Sequence, residues 1–147
     1  MEIAILGLGC FWDPEIKFSK LSGVTKTEVG YCGGYSSQTS YKEVCSGSTN
    51  HAEVIKLDFD PKIISYEKIL KFFFEIHDPT TLNSQGPDFG TQYRSEIFYL
   101  NDQQKNIAEK LIEKENIKLS GKVVTKISLT KNYCPAEEYH QKYLEKR

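Results

Sequence analysis

Ile3-Ala4-Ile5-Leu6-Gly7-Leu8-Gly9-Cys10-Phe11-Trp12-Asp13-Pro14-Glu15 decides how the rest of this chain is read. The run from Ile3 to Leu6 is short, apolar and partly β-branched, which suits a buried strand. Gly7 and Gly9 are expected to break it and let the chain turn. Asp13-Pro14-Glu15 then supplies an N-cap residue, a proline at the first helical position and an acid in the first turn. Cys10 is thus placed in a strand-to-helix turn, near the positive end of a helix, where a thiolate is favoured and the pKa expected to fall. Phe11 and Trp12 can wall a small apolar slot beside the sulfur. The competing reading is a buried core cysteine. A lipoprotein signal is excluded: no basic stretch precedes the run, Gly7 stands where a leucine is wanted, and the run is too short.

Outward from this turn, strand and helix patterns follow one another without repeats. Residues 24–31 read as a strand ending at Gly33-Gly34, residues 36–40 as a polar loop, and 41–45 as one helical turn. Residues 51–59 alternate cleanly and stop at Asp60-Pro61. Residues 65–77 begin with the capping pattern Ser-Tyr-Glu-Lys, continue at helical spacing and break at Asp78-Pro79. Residues 80–92 form a long polar loop, which in a compact domain is usually functional. A strand over 95–100, a charged helix over 102–115, a strand over 123–129 and a closing helix over 135–144 complete the pattern. Mixed rather than strictly alternating elements predict one α+β domain over 1–147. Its expected form is a two-layer sandwich with a ferredoxin-like core, a mixed sheet and a C-terminal helix.

Period-2 alternation in the 51–59 strand puts Glu53 on the same face as Ile55, Leu57 and Phe59. A carboxyl on an apolar face stays protonated near neutral pH and can serve as a general acid. Alternatively, Glu53 turns to solvent at the strand's mouth or pairs with a base such as Arg94.

Composition narrows the function classes. The net charge of −1 gives no electrostatic case for nucleic acid or an anionic membrane. No apolar run is long enough to span a bilayer and no targeting segment is visible, so a soluble, cytoplasmic protein is expected. Four cysteines (Cys10, Cys32, Cys45 and Cys134) do not make a secreted disulfide scaffold, so any disulfide would be transient and catalytic. The Cys45/His51 and Cys134/His140 spacings look superficially like metal half-sites. They lack the paired spacing that zinc favours, and no metal is expected. Nine tyrosines suit a site built from hydroxyl donors on rigid rings.

Taken together, seven segments resemble the A-type peptide methionine sulfoxide reductases. They are Gly9-Cys10-Phe11-Trp12; Gly30-Tyr31 with Gly33-Gly34-Tyr35; Tyr41-Lys42-Glu43-Val44-Cys45-Ser46-Gly47; His51-Ala52-Glu53-Val54; His77-Asp78-Pro79-Thr80; Asp88-Phe89-Gly90-Thr91-Gln92-Tyr93-Arg94-Ser95; and Ala136-Glu137-Glu138-Tyr139-His140-Gln141. They run in order from the first strand to the last helix. The resemblance implies Cys10 as the nucleophile on the sulfoxide sulfur and Glu53 as proton donor to its oxygen. It also implies Phe11 and Trp12 as walls for the S-methyl group, and Tyr41 and Tyr93 as hydroxyls on the oxygen. Asp88 and His140 are implied to shape the site. The product would be methionine and a Cys10 sulfenic acid, with no cofactor.

The resemblance also implies a departure, since family members that recycle through an internal disulfide commonly carry a resolving cysteine in a glycine-rich tail. The sequence ends at Arg147 without one. Cys134 and Cys32 are the candidate resolving thiols, but an external reductant (glutathione with glutaredoxin, or thioredoxin) is the favoured expectation. The substrate is methionine sulfoxide, free or in proteins, and no nucleic acid or membrane partner is expected. The alternative activity is a thiol peroxidase or disulfide-exchange enzyme using Cys10. A buried acid serves oxygen protonation better than it serves thiolate attack on a disulfide.

Overall fold

The computed structural model describes residues 1–146. Its apolar runs build one six-stranded mixed sheet. In chain order the strands are β1 (Glu2–Leu8), β2 (Val24–Cys32), β3 (Ala52–Phe59), a small separate hairpin of β4 (Ser84–Gln85) and β5 (Asp88–Phe89), β6 (Ser95–Tyr99), β7 (Lys126–Leu129) and β8 (Cys134–Pro135). The sheet order is β7-β6-β1-β3-β2-β8. Every neighbouring pair is antiparallel except β6 with β7. The central four strands, with helices α1 (Trp12–Ser19) after β1 and α3 (Tyr66–Glu75) after β3, form the split βαβ arrangement of the ferredoxin-like core. The expected sandwich is therefore present, widened by one strand at each edge.

One face of the sheet carries Ala4, Leu6, Leu8, Ile55, Leu57 and Ile97, packed under Phe18 of α1, under Ile69, Leu70 and Phe73 of α3, and under Ala108 and Leu111 of α4 (Asp102–Lys118). Ser65 caps α3 by accepting from the Lys68 N–H at 3.1 Å, as its sequence pattern predicts. The helix presents its apolar side at the spacing of one turn. The opposite face bears a smaller cluster of Ile5, Cys32, Ala52, Val54 and Phe98.

Three expectations change, the first being the start of α1: it begins at Trp12 with Phe11 at the N-cap, so Asp13 and Pro14 lie inside its first turn. Gly7 does not end β1: the strand runs to Leu8, flanked by β3 and β6, and a Cβ at Gly7 would press on the Arg94 carbonyl at 3.2 Å. Gly9 alone makes the turn, with φ at +100°, a conformation that L side chains rarely adopt. The closing helix over 135–144 is not formed. The segment instead adds β8 to the edge of β2, then a 3-10 turn at Glu138–His140 and a short α5 (Tyr143–Lys146). The β2 edge offers open backbone partners, and the tail takes them: Ala136 N–H donates to the Val29 carbonyl, and the Gln141 amide bonds both the N–H and the carbonyl of Val29. These tertiary hydrogen bonds replace those that a helix would have made internally.

Candidate active site

Cys10 lies half-buried between β1 and α1, one residue ahead of the N-cap Phe11. The Trp12 N–H bonds its sulfur and lowers the thiol pKa, as a helix start should. Burial outweighs that bond, and Glu53, Asp88 and Asp13 add negative charge, so the thiol is pushed up to about 11. The expected resting thiolate is thus corrected. At neutral pH Cys10 is a thiol, because burial penalises a bare charge.

Glu53 is fully buried in β3, directly opposite Tyr31 of β2. Its Oε1 accepts the Phe11 N–H at 3.3 Å, while Oε2 has no partner among the described residues. Burial is the main cause of a pKa raised to about 8, with the neighbouring Asp88 charge adding to it. Glu53 is therefore a neutral acid at pH 7. Arg94 does not pair with it. That guanidinium bonds Glu96 at 2.6 Å and the carbonyls of Thr91 and Asn50.

The other expected site residues gather round these two. Phe11 packs on Tyr31, with ring centroids 5.8 Å apart, and on His140 at 5.3 Å. Trp12 stacks on Tyr143 at 3.9 Å and donates its indole N–H to Nδ1 of His140 at 3.1 Å. An indole N–H can only donate, so neutral His140 carries its proton on Nε2, an atom buried without a partner among the described residues. The same burial holds the His140 pKa below its ordinary value. Tyr41 opens α2 (Tyr41–Cys45) with its ring 4.5 Å from that of His140. Tyr93 ends a 3-10 turn at Thr91–Tyr93. Its phenol is raised to about 12 by burial first, then by Glu53, Cys45, Asp88 and Cys10. Asp88 sits in the β4–β5 hairpin, whose Gln85 would be struck by any Cβ at Gly9. The hairpin is braced by Gln85, whose side chain bonds Asp78 N–H at 2.8 Å and Asp78 O at 2.7 Å. The long polar loop is therefore a folded cover over Gly9-Cys10.

The candidate resolving cysteines part company: Cys32 is on the far face of the sheet, and Cys134 is at its edge, opposite Tyr31. Cys32 is wholly buried on the far face, with Ala52 and Val54, because alternation sends it away from its neighbour Tyr31. Its thiol donates to the Lys131 carbonyl at 3.4 Å. Cys134 lies on β8, two strands from Glu53, with its thiol against the Thr39 carbonyl at 3.7 Å. Cys45, passed over in the sequence, comes closer to the chemistry: it hydrogen-bonds the Tyr41 hydroxyl and feels the Glu53 charge. The signal was its i,i+4 spacing from Tyr41, which puts both on one helix face.

Comparison with known proteins agrees with this arrangement. A family model described as peptide methionine sulfoxide reductase matches residues 2–147. The peptide methionine sulfoxide reductase MsrA of Pelagibacter ubique is 82% identical over 147 residues, covering all of both chains. That of Methanococcus maripaludis is 48% identical over 146 residues, 99% of this chain and 93% of the other. Among solved structures, reduced Mxr1 from Saccharomyces cerevisiae gives a TM-score of 0.93 at 43% identity, covering 99% of this chain and 85% of that one. Methionine sulfoxide reductase A of Corynebacterium diphtheriae gives 0.88 at 34% identity, covering 99% and 74%. The chain belongs to the peptide methionine sulfoxide reductase family.

Membership makes it an oxidoreductase acting on methionine sulfoxide, and the peroxidase and disulfide-exchange alternatives are not favoured. Cys10, the buried Glu53 carboxyl and the Phe11–Trp12 pair lie together at one strand-to-helix turn. A surface groove of about 460 Å³ between α3 and α4 is lined by Lys71, Phe74, Leu111 and Ile117 and includes none of these groups. No helix of the described residues is long and apolar enough to cross a membrane.

Proposed function

We propose that this chain reduces the S epimer of methionine sulfoxide, free or in proteins, with Cys10 as nucleophile and Glu53 as general acid. The sulfoxide oxygen is received by Glu53 Oε2 and the hydroxyls of Tyr41 and Tyr93, and the S-methyl group by Phe11 and Trp12. Asp88 and His140 shape the slot. Proton transfer from Glu53 to the oxygen makes the sulfur electrophilic, and the Cys10 sulfur attacks it as the thiol proton departs. The attack forms an S–S bond between Cys10 and the substrate; the S–O bond and then that S–S bond break, the oxygen ends on Cys10 as a sulfenic acid, and methionine leaves. The thiol's proton replaces the one that Glu53 gave. Sulfur in methionine is reduced and sulfur in Cys10 oxidised, so the step balances without a cofactor. Held neutral before attack, Glu53 adds no charge against ionisation of the Cys10 thiol, whose pKa a carboxylate there raises.

The observation that carries this reading is the fully buried Glu53 carboxyl, neutral at pH 7 and hydrogen-bonded to the residue that follows Cys10. An external thiol then reduces the sulfenic acid. Mxr1 of Saccharomyces cerevisiae in complex with Trx2, a structure with a TM-score of 0.68 to this chain at 29% identity, supports a thioredoxin-type donor; glutathione with glutaredoxin is the other candidate. A cytoplasmic setting suits four thiols kept free. The test is an assay of the separate S and R epimers with excess dithiol. Turnover of the S epimer alone is expected; comparable rates on both, or peroxide reduction in their place, would reject the reading.

A further inference from the structure

Glu137 is drawn into the site from the far end of the chain, and nothing above gives it a task. Its Oε1 accepts the Tyr31 hydroxyl at 2.8 Å and its Oε2 accepts the Tyr41 backbone N–H at 2.9 Å. Tyr31 backs the Phe11 ring and faces Glu53 across the β2–β3 ladder. Tyr41 begins a helix of only five residues, in which Ser40 caps the Glu43 N–H and leaves the Tyr41 N–H without an intrahelical acceptor. One carboxylate therefore fastens the apolar wall and the start of the helix bearing an oxygen-site tyrosine to the same point. The backbone around it is itself held to β2 through Cys134, Ala136 and Gln141, so the carboxylate cannot drift with α2.

We infer that Glu137 is a positioning residue, which sets Tyr41 against the sulfoxide oxygen by holding its helix to Tyr31. The inference rests on the reading above in which Tyr41 contacts that oxygen. Acting through Tyr41, Glu137 matters to the oxidation of Cys10 rather than to its reduction by dithiol. A leucine at 137 keeps the bulk and removes both acceptors. A glutamine keeps one acceptor for two donors.

The experiment is a double-mutant cycle of Glu137→Leu and Tyr41→Phe, read as the single-turnover rate of Cys10 oxidation by the S epimer. Wild type and Cys10→Ser serve as controls, and folding is checked by circular dichroism. Glu137→Leu is expected to slow the step about tenfold, the effect of losing about one hydrogen bond at the oxygen, and to do much less when Tyr41 is already phenylalanine. The rate of sulfenic acid reduction by dithiol should not change. Equal losses in both backgrounds, or an equal loss in the reductive step, would overturn the inference. Should Glu137→Leu fail to fold, Glu137→Gln carries the same test with a loss of a few-fold. If Cys10→Ser itself turns over substrate, the underlying reading fails rather than the role of Glu137.

Discussion

The Phe11 N–H is hydrogen-bonded to Oε1 of Glu53 at 3.3 Å, so the residue following Cys10 fixes one oxygen of the acid and leaves the other for a ligand. The acid is thereby built into the same turn as the thiol. Removing its proton without moving it is the informative perturbation. Glu53→Gln should slow single-turnover Cys10 oxidation by about 10²–10⁴-fold, the usual contribution of a general acid. The wild-type rate should hold below about pH 8 and fall above it as Glu53 ionises. The variant should lack that fall. A wild-type rate that rises through pH 8 would contradict the assignment.

The same carboxyl links stability to pH. Its folded pKa lies above the ordinary carboxyl value, so the folded state binds the proton more tightly than the unfolded chain. Stability should therefore decline as pH rises from the ordinary carboxyl range toward about 8 and then level off. Its total change should be on the order of a few kcal/mol. Denaturant titrations across that range, compared with Glu53→Gln, isolate the contribution: the variant's curve should be flatter.

Cys10→Ser should abolish turnover and leave the fold intact, because the side chain is small and half-buried and no other thiol occupies its position. Activity within about tenfold of wild type would remove Cys10 from the nucleophile's role. Glu53→Gln should also lower the thiol pKa from about 11, since a raising charge is gone. Thiolate absorbance in a pH titration measures this directly.

Oxidation by one equivalent of methionine sulfoxide should leave a Cys10 sulfenic acid, or a mixed disulfide once an outside thiol is added. Cys32 lies on the opposite face of the sheet and Cys134 two strands from Glu53. Mass mapping decides the outcome. Rapid formation of a disulfide from Cys10 to Cys32 or Cys134 would overturn the assignment of an external reductant.

Beneath the site, on the other side of the sheet, Arg94 and Glu96 form a buried pair completed by Ser128 and the Thr91 and Asn50 carbonyls. Arg94→Met would strand the Glu96 charge and cost about 3–5 kcal/mol. Chemical denaturation measures it. A change below about 1 kcal/mol would mean that the pair is solvated in solution.

Alternation in 51–59 was enough to find Glu53, because the period of a strand is a local property. The fate of Cys32 was not local. It needed the register that sets Tyr31 opposite Glu53, and with it the face that Cys32 occupies. The thiol pKa went astray for a related reason: Asp13-Pro14-Glu15 announces a helix beside Cys10, one that in fact begins at Trp12, but burial by distant segments is not written there. The tail departed furthest from its pattern. Residues 135–144 have helical spacing, yet the open edge of β2 lies many residues upstream and offered stronger partners.

That tail joins the two ends of the sequence. Trp12 with His140, Glu15 with Lys142 and Val29 with Gln141 are hydrogen-bonded pairs more than a hundred residues apart. β8 contributes only two residues at the edge of the sheet, while the central strands are buried on both faces. Such a seam can fray while the sheet persists, because local opening of a marginal edge takes less free energy than global unfolding. The substrate slot would then lose its His140 and Glu137 supports before the core notices. Activity should vanish at a lower denaturant concentration than the far-ultraviolet signal, which makes catalysis itself the most sensitive gauge of whether the seam is closed.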